Sequence, residues 1–203
     1  MDVGSIARRI LPVVLFGALA ACDGTLPGTG LHETTVLQGA LKIPAPQGYC
    51  IDPEASEAHG DAIVVLIGRC TTRGGASGGV AAALVSISVG GAASAGVLVA
   101  GPDALAQFFT STAGRKVLAR DGVAAHVVVL QAQVDKGSLL LHLNDQTAGE
   151  YWRAITAIKG RLVTISASGA EGAPLTPDQG LMLVRDELAL LARRNPQKVM
   201  PAQ

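Results

Sequence analysis

One serine has the sequence context of a catalytic nucleophile. Residues 75–79 read G-A-S-G-G, which matches the G-x-S-x-G pattern of a nucleophile elbow with Ser77 as the nucleophile. The acid and base of a triad would be Asp103 or Asp121 and His126 or His142. An elbow needs a helix directly after the serine, whereas the residues that follow here alternate like a strand. We therefore predict that the chain is not an enzyme, and a small periplasmic serine hydrolase using Ser77 is the alternative.

The histidines do not form a metal-binding motif. The chain has His32, His59, His126 and His142. No two of them have the sequence spacing of a metal-binding motif such as H-x-x-x-H, in which two histidines on one face of a helix bind the same ion. The chain also lacks the G-x-x-x-x-G-K-[ST] loop that holds nucleotide phosphates. We therefore predict no metal site and no cofactor, with the histidines at surface or edge positions.

The N-terminus has the pattern of an export signal. Arg8 and Arg9 precede an apolar stretch, residues 10–18, that is too short to span a bilayer as a helix. The sequence L-A-A-C that follows ends at Cys22 and resembles the lipobox of bacterial lipoproteins, whose cysteine receives a diacylglyceryl group before the signal is cut. The resemblance implies a helical signal peptide over residues 1–21 and a lipid on Cys22. An ordinary signal peptide with a chance thiol, or an uncleaved anchor, are the alternatives.

A lipid on Cys22 would also fix the compartment. The mature protein would lie in the periplasm, anchored to the inner or the outer membrane, with the membrane itself as a partner. Each buried methylene adds about 0.8 kcal/mol of membrane affinity, so two or three acyl chains would hold the protein firmly. We expect a lipidated tether over residues 22–35, because this stretch is rich in glycine, proline and threonine.

Cys50 and Cys70 remain as an even pair once Cys22 carries lipid. An oxidising compartment favours a disulfide between such a pair, and closing this loop would contribute about 3 kcal/mol. Neither cysteine belongs to a C-x-x-C motif. Two buried free thiols or a redox pair are the alternatives, and we predict the structural disulfide.

Composition limits the classes of partner. The chain has 16 Lys and Arg against 16 Asp and Glu, so no basic field attracts nucleic acid. Aromatic residues make up 3% of the chain, which is few for stacking bases or sugars. The length of 203 residues and the hydrophobic content of 49% suffice for one core. We predict a single domain over residues 36–196 and a flexible tail over 197–203.

Periodicity predicts an α+β domain with a mainly antiparallel sheet. Strands are predicted at residues 36–43, 62–68, 123–134, 139–144, 152–158 and 161–168, with an extended piece at 48–53 and a helical turn at 54–60. The apolar run 62–68 is expected to be buried on both faces. In the strand 123–134, the side chains expected to share one face are Val128, Leu130, Ala132 and Val134.

Two helices are predicted to pack on this sheet. Residues 103–119 have an apolar stripe of Leu105, Phe108 and Phe109, with Gly114 as an interruption. The sequence T-P-D-Q at residues 176–179 is a capping box with proline at the first helical position, and it predicts a helix over 177–194. The apolar stripe of this long C-terminal helix consists of Leu181, Val184, Leu188 and Leu191.

The stretch from Val80 to Gly101 has two interpretations. It carries no charged residue, so as a window it resembles a membrane-spanning helix. Val85, Ile87 and Val89 alternate with serines, however, and two glycines follow. We predict two strands joined by a glycine-rich turn, and an integral membrane protein spanning at 80–101 is the alternative.

Two patterns in the body of the chain are distinctive: Ile43-Pro44 with G-Y-C-I-D at 48–52, and the hairpin around Gly160 followed by the final helix. Together they resemble exported proteins of alphaproteobacteria. More distantly, the order of elements is similar to the PsbP-like α/β/α sandwich. That resemblance implies an antiparallel sheet with helices on its faces and no catalytic residues. We expect a non-catalytic binding or assembly module of the cell envelope, with an envelope protein as partner.

Overall fold

A seven-stranded antiparallel sheet with helices on both faces confirms the predicted α+β class. The computed structural model describes residues 30–72, 75–76 and 79–196. In chain order the strands are β1 (Glu33–Val36), β2 (Leu41–Pro44), β3 (Tyr49–His59), β4 (Ala62–Arg69), β5 (Thr71–Thr72), β6 (Gly75–Ala76), β7 (Ala83–Val89), β8 (Val127–Asp135), β9 (Ser138–Asp145), β10 (Gly149–Ile158) and β11 (Arg161–Gly169). The helices are α1 (Pro102–Thr110), α2 (Thr112–Leu118) and α3 (Pro177–Arg194), with short 3-10 helices at Ser94–Leu98 and Ala124–His126.

The large sheet is made of two antiparallel meanders. Its strand order is β3-β4-β7-β11-β10-β9-β8, so β3, β4 and β7 form one meander and β8 to β11 form the other. The two join where β7 pairs with β11, from Val89 opposite Val163 to Ala83 opposite Gly169. The strands β1 and β2 form a separate hairpin, as do β5 and β6.

One face of the sheet is covered by α3 and the β1–β2 hairpin. The capping box forms as predicted, with the Thr176 hydroxyl accepting from the Gln179 amide and the Gln179 side chain accepting from the Thr176 amide. The helix therefore begins at Pro177 and ends at Arg194, as predicted. The core between α3 and the sheet is built from side chains that are fully buried. From α3 and the central strands these are Val184, Leu191, Val163, Ile165, Ala167, Val85, Ile87 and Val89.

The other face is covered by α1 and α2 over only part of the sheet. Phe109 and Leu118 from these helices pack on Leu139, Leu141 and Leu143 of β9. Because Leu140 between them belongs to the opposite core, β9 is buried on both faces. The predicted hairpins β8–β9 and β10–β11 are both present, with turns at Lys136-Gly137 and Lys159-Gly160.

The start of the described chain differs from the prediction of one strand over residues 36–43. The chain turns between Val36 and Leu41, and β1 pairs back on β2. Leu37 and Gln38 both have a φ of 55°, in the left-handed region that non-glycine residues rarely adopt. Gly39, with a φ of 94°, completes this turn, so the sequence contained one turn signal that the prediction of a single strand did not use.

Two expectations for β3 and β4 are wrong. Residues 54–60 were predicted as a helical turn, but β3 continues to His59 through an irregularity between Asp52 and Glu57. Residues 62–68 form β4, yet only Val65 and Ile67 are buried. The strand is buried on one face because the helices of the opposite face lie over β8 and β9 instead.

The stretch Val80–Gly101 contains one strand, not two. β7 follows the predicted alternation, and its four inward residues are buried. After Gly90 and Gly91 the chain enters the 3-10 helix Ser94–Leu98. No helix within the described ranges is long and apolar enough to cross a membrane.

The predictions for residues 103–119 and 123–134 need correction in detail. The helical stretch is interrupted at Ser111, whose hydroxyl caps α2, and not at Gly114. Phe109 is buried as expected but Phe108 is largely exposed. In β8 a register shift between Val129 and Gln131 breaks the alternation. Val127 and Val129 before the shift and Ala132 after it pack in the same core, whereas Val128 and Leu130 are exposed, so Val128 and Ala132 do not share a face as predicted.

Candidate functional site

The residues considered for a hydrolase do not meet in one site among the described residues. Ser77 and Cys22 lie outside the described residues. His126 Nδ1 lies 2.6 Å from Asp121 Oδ2 at the exposed end of the 3-10 helix that precedes β8. Hydrogen bonds from the His126 imidazole and from the Val123 amide lower the pKa of Asp121. Among the described residues, no hydroxyl or thiol is hydrogen-bonded to this imidazole.

His142 is a more enclosed histidine than expected. It lies on β9, with its ring stacked on that of Trp152 at 4.7 Å between centroids and its Nε2 2.7 Å from Glu150 Oε1. Flat stacking and a carboxylate partner both fix the orientation of the imidazole. Within the part of the chain that the structure describes, no third polar group joins this pair. We interpret it as a structural cross-strand contact.

A groove of about 770 Å³ lies between α3 and the β8–β9 hairpin. One wall is the side of α3 that carries Arg185, Ala189 and Arg193. The other wall is the turn between β8 and β9, and the end of β10 forms the floor. The groove-lining residues used below are Asp135, Lys136, Ser138, Thr156, Arg185, Ala189, Arg193 and Asn195. We call this feature the α3 groove.

The floor and end of the α3 groove are fixed by hydrogen bonds. Ser138, which is 6% exposed, donates its hydroxyl to Thr156 Oγ1 at 3.0 Å. Buried Asn195 closes one end, because its side chain bonds both the amide and the carbonyl of Lys42 in β2, at 2.9 and 2.7 Å. The first contact joins β9 to β10, and the second ties the end of α3 to the β1–β2 hairpin.

The charge of the α3 groove is positive. Three cations line it, against the single carboxylate of Asp135, which pairs with Arg185 at 3.1 Å. Lys136 and Arg193 are exposed, and neither forms an ion pair with another described residue. By contrast, the adjacent Arg194 lies 3.0 Å from Glu33. The groove can therefore accept an anionic group without breaking an existing ion pair.

A second cluster of chemically capable side chains surrounds the disulfide. Cys50 at the start of β3 is bonded to Cys70 just after β4. The imidazole Nδ1 of His32 lies 3.9 Å from Cys50 Sγ. The ligand atoms of the three residues all lie within 4.8 Å of one another. Sequence spacing did not reveal this cluster, because His32 reaches the cysteines through a β-bridge between Leu31 and Ile51.

The α3 groove was likewise missed from sequence. Its residues come from three separate parts of the chain, at 135–138, 156–158 and 185–195. The only local signals were the Lys136-Gly137 turn and the arginines on the polar side of α3. A packing arrangement between helix and hairpin is needed to bring them together.

Comparison with known proteins gives structural likenesses only. No family model and no curated protein matches the chain. The Ran-binding protein Mog1p of Saccharomyces cerevisiae is similar at 14% identity and a TM-score of 0.47, over 80% of this chain and 92% of that one. A point mutant of Mog1 matches at the same identity and TM-score, over 80% and 93%. Cyanobacterial PsbP from Synechocystis matches at 15% identity and a TM-score of 0.41, over 88% and 98%.

Proposed function

We propose that this chain is a non-catalytic binding module of the bacterial cell envelope, exported by its signal peptide and anchored in the periplasm by a lipid on Cys22. The sequence L-A-A-C before residue 23 supports the anchor. The bond between Cys50 and Cys70 suits an oxidising compartment. The membrane fractionation described below distinguishes an anchor in the inner membrane from one in the outer membrane.

The α3 groove is the proposed binding site, and an acidic segment of an envelope protein is the proposed ligand. The observation that carries this is the pair of exposed cations, Lys136 and Arg193, on opposite walls with no carboxylate partner in the described chain. Charge-assisted hydrogen bonds to carboxylates are stronger than neutral ones, and complementary charge also speeds association. The hydrogen bonds of Ser138 and Asn195 fix the floor and one end of the groove.

A photo-crosslinking experiment in cells tests the site. A crosslinking amino acid at the exposed Ala189, inside the groove, should give a discrete product with an envelope protein. Reversing both charges in Lys136→Glu/Arg193→Glu should reduce that product about tenfold or more. Lys116→Glu is the matched control, because Lys116 is exposed on α2 at the opposite face of the sheet.

The outcomes separate binding from its alternatives. A product that survives the double charge reversal, or that falls equally with Lys116→Glu, would show that the groove does not bind through its cations. Ser77→Ala should leave the product unchanged, whereas loss of a hydrolytic activity with that variant would favour the enzyme.

The anchor is tested separately by mass spectrometry of the mature protein from fractionated membranes. An acylated peptide beginning at Cys22 is the expected result, and Cys22→Ser should move the protein from the membrane fraction to the soluble fraction. An unmodified N-terminal methionine would contradict the lipoprotein hypothesis. The fraction that holds the wild-type protein tells the inner membrane from the outer.

A further inference from the structure

The disulfide lies beside an imidazole that the fold holds in place. The amide of Ile51 donates to Leu31 O at 2.7 Å, and the amide of Ala45 donates to His32 O at 2.7 Å. The backbone of His32 is thereby fixed between β2 and β3, beside Cys50. The His32 Nδ1 also lies 3.2 Å from Tyr49 O, and a metal ion bound to Nδ1 would replace this contact.

The three side chains are of the types that ligate a thiophilic metal ion, and the distance from His32 to Cys50 is close to that between two such ligands. Zinc binds thiolate sulfur at about 2.3 Å and imidazole nitrogen at about 2.0 Å, so tetrahedral ligands lie about 3.5 to 3.8 Å apart. The distance of 3.9 Å between His32 Nδ1 and Cys50 Sγ is already close to this separation. Two sulfurs and one nitrogen exclude the hard ions magnesium and calcium, which take oxygen ligands.

Cys50 and Cys70 differ in access to solvent. Cys70 is 5% exposed, whereas Cys50 is only partly buried. Gly30 passes directly over the pair, since a Cβ built there would lie 2.0 Å from Cys50 Sγ and 3.8 Å from Cys70 Sγ. A glycine at this position lets the backbone approach the sulfur atoms without a side chain that would displace them. Of the two cysteines Cys50 is the more exposed, although Gly30 lies against its Sγ.

We infer that reduction of the Cys50–Cys70 disulfide turns His32, Cys50 and Cys70 into a three-ligand site for a thiophilic metal ion such as Zn²⁺. While the sulfurs are bonded to each other they are not thiolates, and only thiolates ligate zinc strongly. Three protein ligands leave the fourth tetrahedral position for water or another molecule. The site is separate from the α3 groove, and it does not depend on the proposed binding function.

The reductant that this step requires is a dithiol. One of its thiolates attacks Cys50 Sγ, the disulfide breaks, and Cys70 leaves as a thiolate. The second thiol of the reductant then attacks the mixed disulfide, which frees Cys50 and oxidises the reductant to its own disulfide. Zn²⁺ is bound by the two thiolates and by the neutral imidazole of His32, and the thiol protons pass to solvent.

Zinc titration of the reduced protein tests the inference. The full chain is used with Cys22→Ser, so that the lipid-accepting thiol cannot bind metal. After anaerobic reduction, Zn²⁺ should bind with one equivalent per chain in competition with a chromophoric chelator. Co²⁺ as a spectroscopic probe should show sulfur-to-metal charge transfer. The oxidised protein should show neither.

Variants assign the ligands. His32→Ala and Cys70→Ser should each weaken Zn²⁺ binding by about a hundredfold, because each removes one of three protein ligands. His59→Ala is the matched control, since His59 is exposed at the far end of β3, where it pairs with Glu57. It should leave the affinity unchanged.

Three results would overturn the inference. The first is equal Zn²⁺ binding by the oxidised protein, and the second is full affinity in His32→Ala. The third applies if reduction unfolds the chain: Zn²⁺ then fails to restore the circular dichroism of the folded protein. If the site forms, Zn²⁺ should restore it.

Discussion

Glu187 provides a quantitative test of the packing between α3 and the sheet. It lies on the inner side of α3 among Leu183, Val184 and Leu191, and its side chain is 0% exposed. Neither carboxyl oxygen has a hydrogen-bond partner among the described residues. Burial raises the pKa of Glu187 from 4.5 to about 8. The side chain is therefore protonated in the folded protein at neutral pH.

The raised pKa makes stability fall as the pH rises. In the unfolded chain the carboxyl loses its proton near 4.5, whereas in the folded protein it keeps the proton up to about 8. Between these values the free energy of unfolding decreases by about 1.4 kcal/mol for each pH unit. By pH 7 the loss reaches about 3 kcal/mol, a large part of the stability of an ordinary domain. Glu187→Gln cannot ionise, so it should not show this loss.

Urea unfolding at several pH values between about 5 and about 8 measures the effect. As the pH rises, the free energy of unfolding of the wild type should fall steadily relative to that of Glu187→Gln. Glu171→Gln is the matched control, because Glu171 is exposed between β11 and α3, and it should follow the wild type. Parallel curves for Glu187→Gln and the wild type would refute the reasoning and would mean that the carboxyl is not held neutral in the core.

Two further variants test other contacts of the fold. Gly180→Ala should destabilise the protein by about 1 kcal/mol, although alanine favours helices. Its Cβ would lie 2.8 Å from Trp152 Cδ1, and overpacking outweighs the propensity gain. The fluorescence of Trp152, the only tryptophan, should shift, and an unchanged spectrum with higher stability would contradict this. Burial alone raises the pKa of Asp145, but hydrogen bonds from Thr147, Arg120 and Ala148 outweigh it and lower the value to about 2. Asp145→Asn should therefore cost about 2 kcal/mol at neutral pH. The wild type should lose this advantage in stability as the pH falls from 3.8 toward 2. A difference in free energy of unfolding between wild type and Asp145→Asn that stays constant over this range would contradict the prediction.

The parts of the fold that could be predicted from sequence are those with short-range signals. The limits of α3 follow from its capping box and from Asn195-Pro196 at its end. The hairpin β10–β11 follows from alternation on both sides of Lys159-Gly160. In each case the deciding residues are within a few positions of one another.

The features that could not be predicted depend on contacts between distant segments. The irregularity between Val129 and Gln131 moves the core-facing positions of β8 from Val127 and Val129 to Ala132, and strict alternation does not predict this change. Glu187 was overlooked because a carboxylate inside an apolar stripe contradicts the usual helix pattern. His32 reaches Cys50 only after the chain pairs beside β3. The candidate sites therefore required the tertiary structure.

The division of the sheet into two meanders has a consequence for how the chain assembles. Every ladder of the large sheet joins neighbouring segments of its own meander, except the seven residue pairs between β7 and β11. The entropic cost of closing a long loop is therefore concentrated at a single seam. Each meander can condense early from local pairings, and the seam with α3 across it completes the structure. The exposed segment near Val99, between the two halves, is accordingly the natural place to divide the gene into two fragments that reassociate.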